Sequence, residues 1–375
     1  MEVWSYHIPT KVIFGKKSLE KITDVVESFK PNRIMLVTGK KSMKKLGVTD
    51  RIIAYLKNRR VVVYNEVKQN PDVTIIENGI RFLKDEKCDL VIGLGGGSTI
   101  DTAKAVSVLS KNQGPADEYL SGKMKIVDRG VPLIAIPTTA GTGTEVTQYA
   151  SIIDETKKRK LSLSHEYIHP SIAIVDPTLT VTMPKFVTAT TGLDALSQCI
   201  EAYWAKDHTP ISDIYALNGI ALIFNNLVNT FNHAENITFR GKMALAALFS
   251  GIAISITKTT IVHSVSYPIT THFGVTHGLA CALTLPSFIR YNSKAVRQRI
   301  SNIAQTIGAE DVEGLIGKVE DLVSSLKVPR RLCDVGIQRR DIDLIVSEGF
   351  RPDRAENNPR KVTKEDLRAI LKGLL

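Results

Sequence analysis

Cysteine is scarce in this sequence and widely scattered. Cys88, Cys199, Cys281 and Cys333 include no Cys-x-x-Cys pair. That spacing gives no thiolate zinc site and points to reduced thiols in a cytoplasmic protein. Long apolar runs are also missing, and none approaches the ~18 residues of a membrane span. The opening residues, Met1-Glu2-Val3-Trp4-Ser5-Tyr6-His7, lack the basic and apolar regions of a signal peptide. Acidic residues are in the minority: 38 Asp and Glu face 49 Lys and Arg, for a formal net charge of +11. Yet the basic residues are dispersed. The densest runs, Lys40-Lys41-Ser42-Met43-Lys44-Lys45 and Lys157-Lys158-Arg159-Lys160, are not interleaved with aromatics. No DNA-binding motif appears, so neither nucleic acid nor a membrane is expected as a partner.

What is present is ordinary for a globular protein: 43% hydrophobic and 23% charged residues in a chain of 375, long enough for two or three domains. Up to about Lys185 the pattern alternates. Short apolar runs at Lys11–Phe14, 33–38, 60–64, 88–94 and 131–136 read as strands, with helices from Leu19 to Phe29 and from Ile75 to Asp85 between them. Strands separated by helices imply a parallel, wound sheet. After Ile172-Ala173-Ile174-Val175-Asp176-Pro177 the pattern turns helical, with helices over 194–205, 211–231, 240–257 and 298–307. The boundary falls between Pro177 and Pro184, which gives domains of residues 1–180 and 181–375.

Three stretches carry chemistry. In the first, the run 89–94 is followed by Gly95-Gly96-Gly97-Ser98 and a helical pattern through Asp101. Strand, glycine turn and helix N-terminus make an anion site, because backbone N–H groups meet a phosphate where no Cβ stands in the way. A tight turn without ligand is the alternative. Pro137-Thr138-Thr139-Ala140-Gly141-Thr142-Gly143-Thr144-Glu145-Val146-Thr147 also follows a strand, and its hydroxyls suit a bound nucleotide. The second stretch is Gly192-Leu193-Asp194-Ala195-Leu196-Ser197-Gln198. Asp194 and Gln198 share a helix face, with Glu201 roughly aligned. A helix carboxylate interacting with the dipole is the plainer account. In the third, His263, His272 and His277 fall within fifteen residues. On one straight helix His263 and His277 would stand roughly 21 Å apart. Pro268 and Gly274 are expected to break the helix, so that His263, His277 and Asp194 converge on one cation, iron or zinc. Separate core histidines are the competing reading.

These pieces, with Phe14-Gly15, Asn70-Pro71, Asp176-Pro177, His277-Gly278 and Asn358-Pro359-Arg360, resemble the iron-containing (group III) alcohol dehydrogenases nearly end to end. The likeness is greatest to the 1,3-propanediol and butanol dehydrogenase members. The resemblance implies a Rossmann-like dinucleotide-binding α/β domain followed by a helical domain, an architecture like that of dehydroquinate synthase, with the active site in the cleft. It implies that Gly95, Gly96, Gly97 and Ser98 hold a pyrophosphate and that Asp101 and Lys160 lie near the nicotinamide. It also implies that Asn70, Thr138, Thr139, Thr142, Thr144 and Thr147 line the cofactor, and that Leu179 touches its adenine side. Asp194, Gln198, His263 and His277 would surround Fe2+ or Zn2+, which polarises the substrate oxygen while hydride moves to or from nicotinamide C4.

Two departures stand out. Most members have histidine at the Gln198 position, and a neutral amide is the weaker ligand. Many have histidine where this chain has Tyr267, a proton-relay position. Tyr267, His272 and Asp101 are therefore the catalytic candidates. Where relatives that use NAD place an aspartate, this chain has Gly39, followed by Lys40, Lys41, Ser42 and Lys44. That favours NADP(H) over NAD(H). The expected protein is a cytoplasmic homodimer that reduces an aldehyde or oxidises a small primary alcohol. The alternatives are a glycerol dehydrogenase-like or phosphonate-aldehyde reductase member of the fold, or a non-catalytic nucleotide-binding protein with a decayed metal site.

Overall fold

The computed structural model describes residues 3–154 and 158–375. Met1, Glu2 and Lys157, which enter the readings of the N-terminus and of the second basic run, lie outside them. The chain divides into two compact units. One comprises residues 7–139 and 144–180. The other comprises 140–143 and 181–375, with the N-terminal tail up to Tyr6.

The first unit is built on strands β1 (Lys11–Phe14), β2 (Arg33–Gly39), β3 (Arg60–Val67), β4 (Leu90–Gly95) and β5 (Leu133–Pro137). A hairpin of β6 (Tyr149–Asp154) and β7 (Arg159–Ser164) follows, and then β8 (Ile172–Val175). Six of them form one sheet in the order β1-β8-β5-β4-β2-β3, parallel throughout. Both faces are covered. Ile34 and Leu36 of β2 join the core on one side with Ile92 and Leu94, while Met35 and Val37 join that on the other with Val91. A sheet buried on both faces reads as continuous apolar runs, which is why these strands were legible.

Chain order reverses between β2 and β4. From β2 the chain steps to β3 at one edge, then returns to β4 and proceeds toward the opposite edge. In open α/β sheets ligands bind at the carboxyl ends of the strands at such a point. Opposite β1, Asp176 accepts backbone N–H bonds from Lys17 and Leu19, which ties the turn after β1 to the end of β8.

The second unit is helical, with no strand among its described residues. Its central helix, Lys185–Trp204, is buried along nearly its whole length from Thr188 onward. Helices Pro210–Asn232 and Ile237–Thr257 pack on it. The first opens with a capping box between Thr209 and Ser212 and with Pro210 in its first turn. Asn236 caps the second. By length and composition both could cross a membrane, although the sequence shows no unbroken apolar run of that length. In this unit they belong to one apolar core with the central helix: Gly219 lies so close to Cys199 that a Cβ there would stand 2.5 Å from Sγ. The segment 140–143 belongs here too. A Cβ on Gly143 would lie 2.4 Å from the Gly251 Cα, and one on Gly251 would lie 2.2 Å from the Gly143 carbonyl oxygen.

Several local expectations need correction. The helix expected from Leu19 to Phe29 is a 3-10 turn, Ser18–Lys21, followed by a helix, Ile22–Phe29. Pro268 does not break its helix, which runs from Ile261 to Phe273. Gly274 alone ends it, in the left-handed conformation at φ 67°. The β6–β7 hairpin was not anticipated.

Candidate active site

In the first unit the proposed cofactor residues gather at neighbouring strand ends. Thr38 of β2 pairs with Leu94 of β4, and Gly95 pairs with Pro137 of β5. Gly39, the glycine loop and Thr138 therefore lie side by side, and the Thr138 N–H donates to the Gly95 carbonyl at 2.9 Å. The glycines have steric reasons to be there. A Cβ at Gly93 would lie 2.9 Å from the Ala103 Cβ, so glycine lets the helix Gly97–Leu109 settle on the sheet. A Cβ at Gly96 would stand 3.2 Å from Thr139 Cγ2. Asn70, at φ 56°, donates its N–H to Ser98 Oγ at 3.2 Å. Lys40, Lys41 and Ser42 follow Gly39 and are exposed, with Lys40 3.5 Å from Glu66.

Other candidates are engaged within the fold. Asp101 accepts from the Thr144 hydroxyl at 2.6 Å and from the Ser151 N–H at 2.9 Å. Burial raises its carboxyl above the usual range against the pull of Lys104. Lys104, which the sequence reading passed over, is fully buried. Its ammonium donates to Thr144 Oγ1, to both oxygens of Thr147 and to the Tyr149 carbonyl, at 2.8–2.9 Å. Burial lowers it to about 8 and pushes the nearby Glu145 carboxyl up to about 7. Thr144 and Thr147 thus face a buried lysine. Leu179 packs in the apolar core of the sheet. Lys160 sits on β7 opposite Ile153 and contributes positive potential at Asp101. Thr142 lies in the 140–143 segment of the helical unit.

In that second unit Asp194, His263 and His277 converge. His263 Nε2 lies 3.5 Å and His277 Nε2 3.9 Å from Asp194 Oδ1. Cys281 completes the group, and all four ligand atoms lie within 4.8 Å of one another. Three helices supply them: Asp194 from Lys185–Trp204, His263 from Ile261–Phe273, and His277 and Cys281 from His277–Ser293. Glycine permits the approach, because a Cβ at Gly278 would lie 1.9 Å from the Thr190 carbonyl oxygen and 2.8 Å from the Asp194 Cβ.

Both imidazoles are oriented from behind. His263 Nδ1 is hydrogen-bonded to Glu201 Oε2. The other Glu201 oxygen accepts from the Thr260 hydroxyl at 2.6 Å and from the N–H groups of Thr260, Val262 and His263 at 2.9–3.3 Å. One carboxylate therefore caps the helix N-terminus and fixes the ring. Burial works to raise Glu201, but His263 and Thr260 outweigh it and hold the carboxyl below its ordinary value. Burial likewise opposes charge on His263, yet Cys281, Glu201 and Asp194 bring it well above the usual imidazole range. Ser266 donates to the His263 carbonyl at 2.7 Å, so it accepts from His277 Nδ1 at 3.1 Å. Each ring thus turns Nε2 toward Asp194. His263 Nε2 is buried without a hydrogen-bond partner, which costs ~1–3 kcal/mol unless a ligand fills the place. Nitrogen, carboxylate and sulfur donors backed by fixed hydrogen bonds fit a divalent transition metal.

Tyr267 stacks on His277 with centroids 5.8 Å apart, and Arg351 lies 4.6 Å above the Tyr267 ring. His272 is not brought to this group. Nine residues after His263, it sits about 180° around the helix, and its Nε2 is 2.8 Å from Glu348. Gln198 is buried and its amide oxygen accepts from Ser250 at 2.9 Å. Cys281 stands in this cluster, although the cysteine spacing pointed to no thiolate zinc site. A lone cysteine in an apolar helix reads as core, and only its place four residues after His277 could have marked it.

A profile of iron-containing alcohol dehydrogenases matches residues 9–177, and one for the C-terminal part of the same family matches residues 188–375. The chain belongs to the iron-containing alcohol dehydrogenase family. It is 30% identical over 382 residues to the NAD-dependent methanol dehydrogenase of Bacillus methanolicus, with 99% of this chain and 100% of that protein covered. It is 31% identical to the NADPH-dependent butanol dehydrogenase of Clostridium saccharobutylicum, covering 97% of this chain and 96% of that protein. The sulfoacetaldehyde reductase of Bifidobacterium kashiwanohense, solved with NAD+, shares the fold at a TM-score of 0.94 and 32% identity, over 100% of this chain and 99% of that one. As an iron-type alcohol dehydrogenase the protein is an oxidoreductase.

Proposed function

We propose that this alcohol dehydrogenase is metal-dependent and NADP(H)-linked, and that it interconverts a small primary alcohol and its aldehyde. The observation that carries the reading is the convergence of Asp194, His263 and His277 with Nε2 of each ring aimed at one carboxylate oxygen. When bound, a divalent ion supplies Lewis acidity toward the substrate oxygen and the nicotinamide carries the hydride. The chain supplies orientation. Glu201 and Ser266 keep the protons on Nδ1 of the two rings. The glycine loop offers backbone N–H groups at a helix start for the pyrophosphate.

Preference for NADP(H) rests on Gly39. It ends β2 beside the glycine loop and carries no carboxylate to repel a 2′-phosphate, and Lys40, Lys41 and Ser42 stand exposed after it. A Cβ there would meet only the Val67 carbonyl oxygen, at 3.6 Å, so the backbone at Gly39 has room for the first side-chain atom of Gly39→Asp. The ratio of kcat/KM for NADPH over NADH should exceed one in the natural enzyme and fall in Gly39→Asp. A natural ratio below one overturns the NADP(H) assignment.

A second reading concerns substrate charge. The guanidinium of Arg351 over Tyr267, itself stacked on His277, favours an aldehyde bearing a phosphonate or sulfonate. The likeness to a sulfoacetaldehyde reductase agrees. A screen with NADPH should then include phosphonoacetaldehyde and sulfoacetaldehyde beside butanal. In Arg351→Met, KM should rise for the anionic substrates alone, and equal changes for butanal would discard this reading.

A further inference from the structure

We propose that Cys281 is a ligand of the metal in this chain, and that its thiolate, together with Asp194, His263 and His277, takes the place that Gln198 would otherwise fill. The inference rests on the reading that this cluster is the metal site.

The geometry of the four groups carries it. Their ligand atoms lie within 4.8 Å of one another. Around an ion with bonds of 2.0–2.3 Å, tetrahedrally placed ligand atoms stand roughly 3.3–3.8 Å apart, so contraction by about an ångström brings the four into bonding range, and expansion to five-coordination keeps a position for the substrate oxygen. His277 and Cys281 are four residues apart on one helix, so they occupy one face and reach the same point. Asp194 and Gln198 have the same relation on their own helix, but Gln198 gives its amide oxygen to the Ser250 hydroxyl. Cys281 is wholly buried beside the cluster.

Ligand chemistry points the same way. A thiolate is anionic and soft, whereas an amide oxygen is neutral and hard. Sulfur in the set shifts preference toward zinc and cobalt and away from magnesium or manganese. Ligation is an acid–base step with no redox change. The S–H bond breaks, the sulfur–metal bond forms, and the proton leaves to solvent.

The test uses the full-length enzyme carrying Cys333→Ser, which removes the exposed thiol. The protein is stripped with a chelator and titrated with Co2+. One equivalent should bring a thiolate-to-cobalt charge-transfer band in the near ultraviolet. Cys281→Ser should abolish that band and weaken Co2+ binding at least tenfold, while Gln198→Ala should keep the band. Should Cys281→Ser fail to fold, X-ray absorption at the zinc edge of the Cys333→Ser protein decides without it. One sulfur scatterer supports the assignment, and a shell of nitrogen and oxygen alone overturns it. A band that survives in Cys281→Ser overturns it as well. Metal bound without sulfur leaves the proposed function standing while this inference falls. No metal bound at this cluster removes both.

Discussion

At the scale of single residues, Glu201 shows how a site depends on a side chain that need not touch the reacting atoms. Its carboxylate accepts the Nδ1 proton of His263 and, through its other oxygen, four more hydrogen bonds at the start of the same helix. In Glu201→Gln the amide NH2 can face Nδ1, which moves the ring proton to Nε2, the atom aimed at Asp194. Metal affinity should fall about 10–100-fold, the usual range for loss of a supporting hydrogen bond. Competition against a chelating dye measures this, and unchanged affinity would mean that Glu201 serves only as a helix cap. Asp194, His263 and His277 are metal-ligand types, but spacing alone left a dipole carboxylate and separate core histidines open, and the resemblance to the family singled them out as a set. Glu201 was visible only as a neighbour of Asp194, since nothing in sequence spacing links it to His263, 62 positions away. Lys104 and Cys281 were missed for a related reason. In an apolar helix a lysine reads as reaching outward and a cysteine as packing, and burial depth has no period.

At the scale of elements, helices were found more readily than their ends. The β6–β7 hairpin escaped because its strands are short and mixed in polarity, Tyr-Ala-Ser-Ile-Ile-Asp and Arg-Lys-Leu-Ser-Leu-Ser, without the apolar run of a sheet buried on both faces. Pro268 misled because a proline inside a helix lacks one donor and clashes with the preceding turn, yet packing retains the helix through it. Gly278 shows the converse. It lies in the first turn of its helix, where the helices that carry His277 and Asp194 nearly touch. Gly278→Ala would lose that approach. A Cβ 1.9 Å from the Thr190 carbonyl forces the helices apart. We expect Gly278→Ala to bind metal at least tenfold more weakly and to melt at a lower temperature. A higher Tm with full metal content would show that the backbone absorbs the methyl group.

At the scale of the whole molecule, stability should carry the signature of its buried charges. Glu145 is held up to about 7 from its ordinary 4.5 by burial. The folded state therefore binds the proton more tightly than the unfolded chain does. The stability this contributes is fully present below pH 4.5 and is lost as pH rises through about 7. The ceiling is roughly 3 kcal/mol at 1.36 kcal/mol per unit. Lys104 acts at the other end. Its pKa is lowered to about 8, so its burial penalty is relieved as pH rises from there toward 10.5. Denaturant unfolding at pH 5 and pH 7 should show the natural protein losing more stability over that interval than Glu145→Gln. Equal losses would place the Glu145 proton outside the folding equilibrium.

The short segment 140–143 has a consequence for recombination. Although it sits in the middle of the sequence that builds the sheet, its Gly143 lies against Gly251 with no room for a side chain on either. The helical unit is therefore discontinuous in the gene. A crossover with a relative at Val181 would inherit one partner of this glycine pair from each parent. Chimaeras that also exchange residues 140–143 should keep the pair matched, and those that do not should fail wherever the second parent supplies a residue larger than glycine at its one position of the pair.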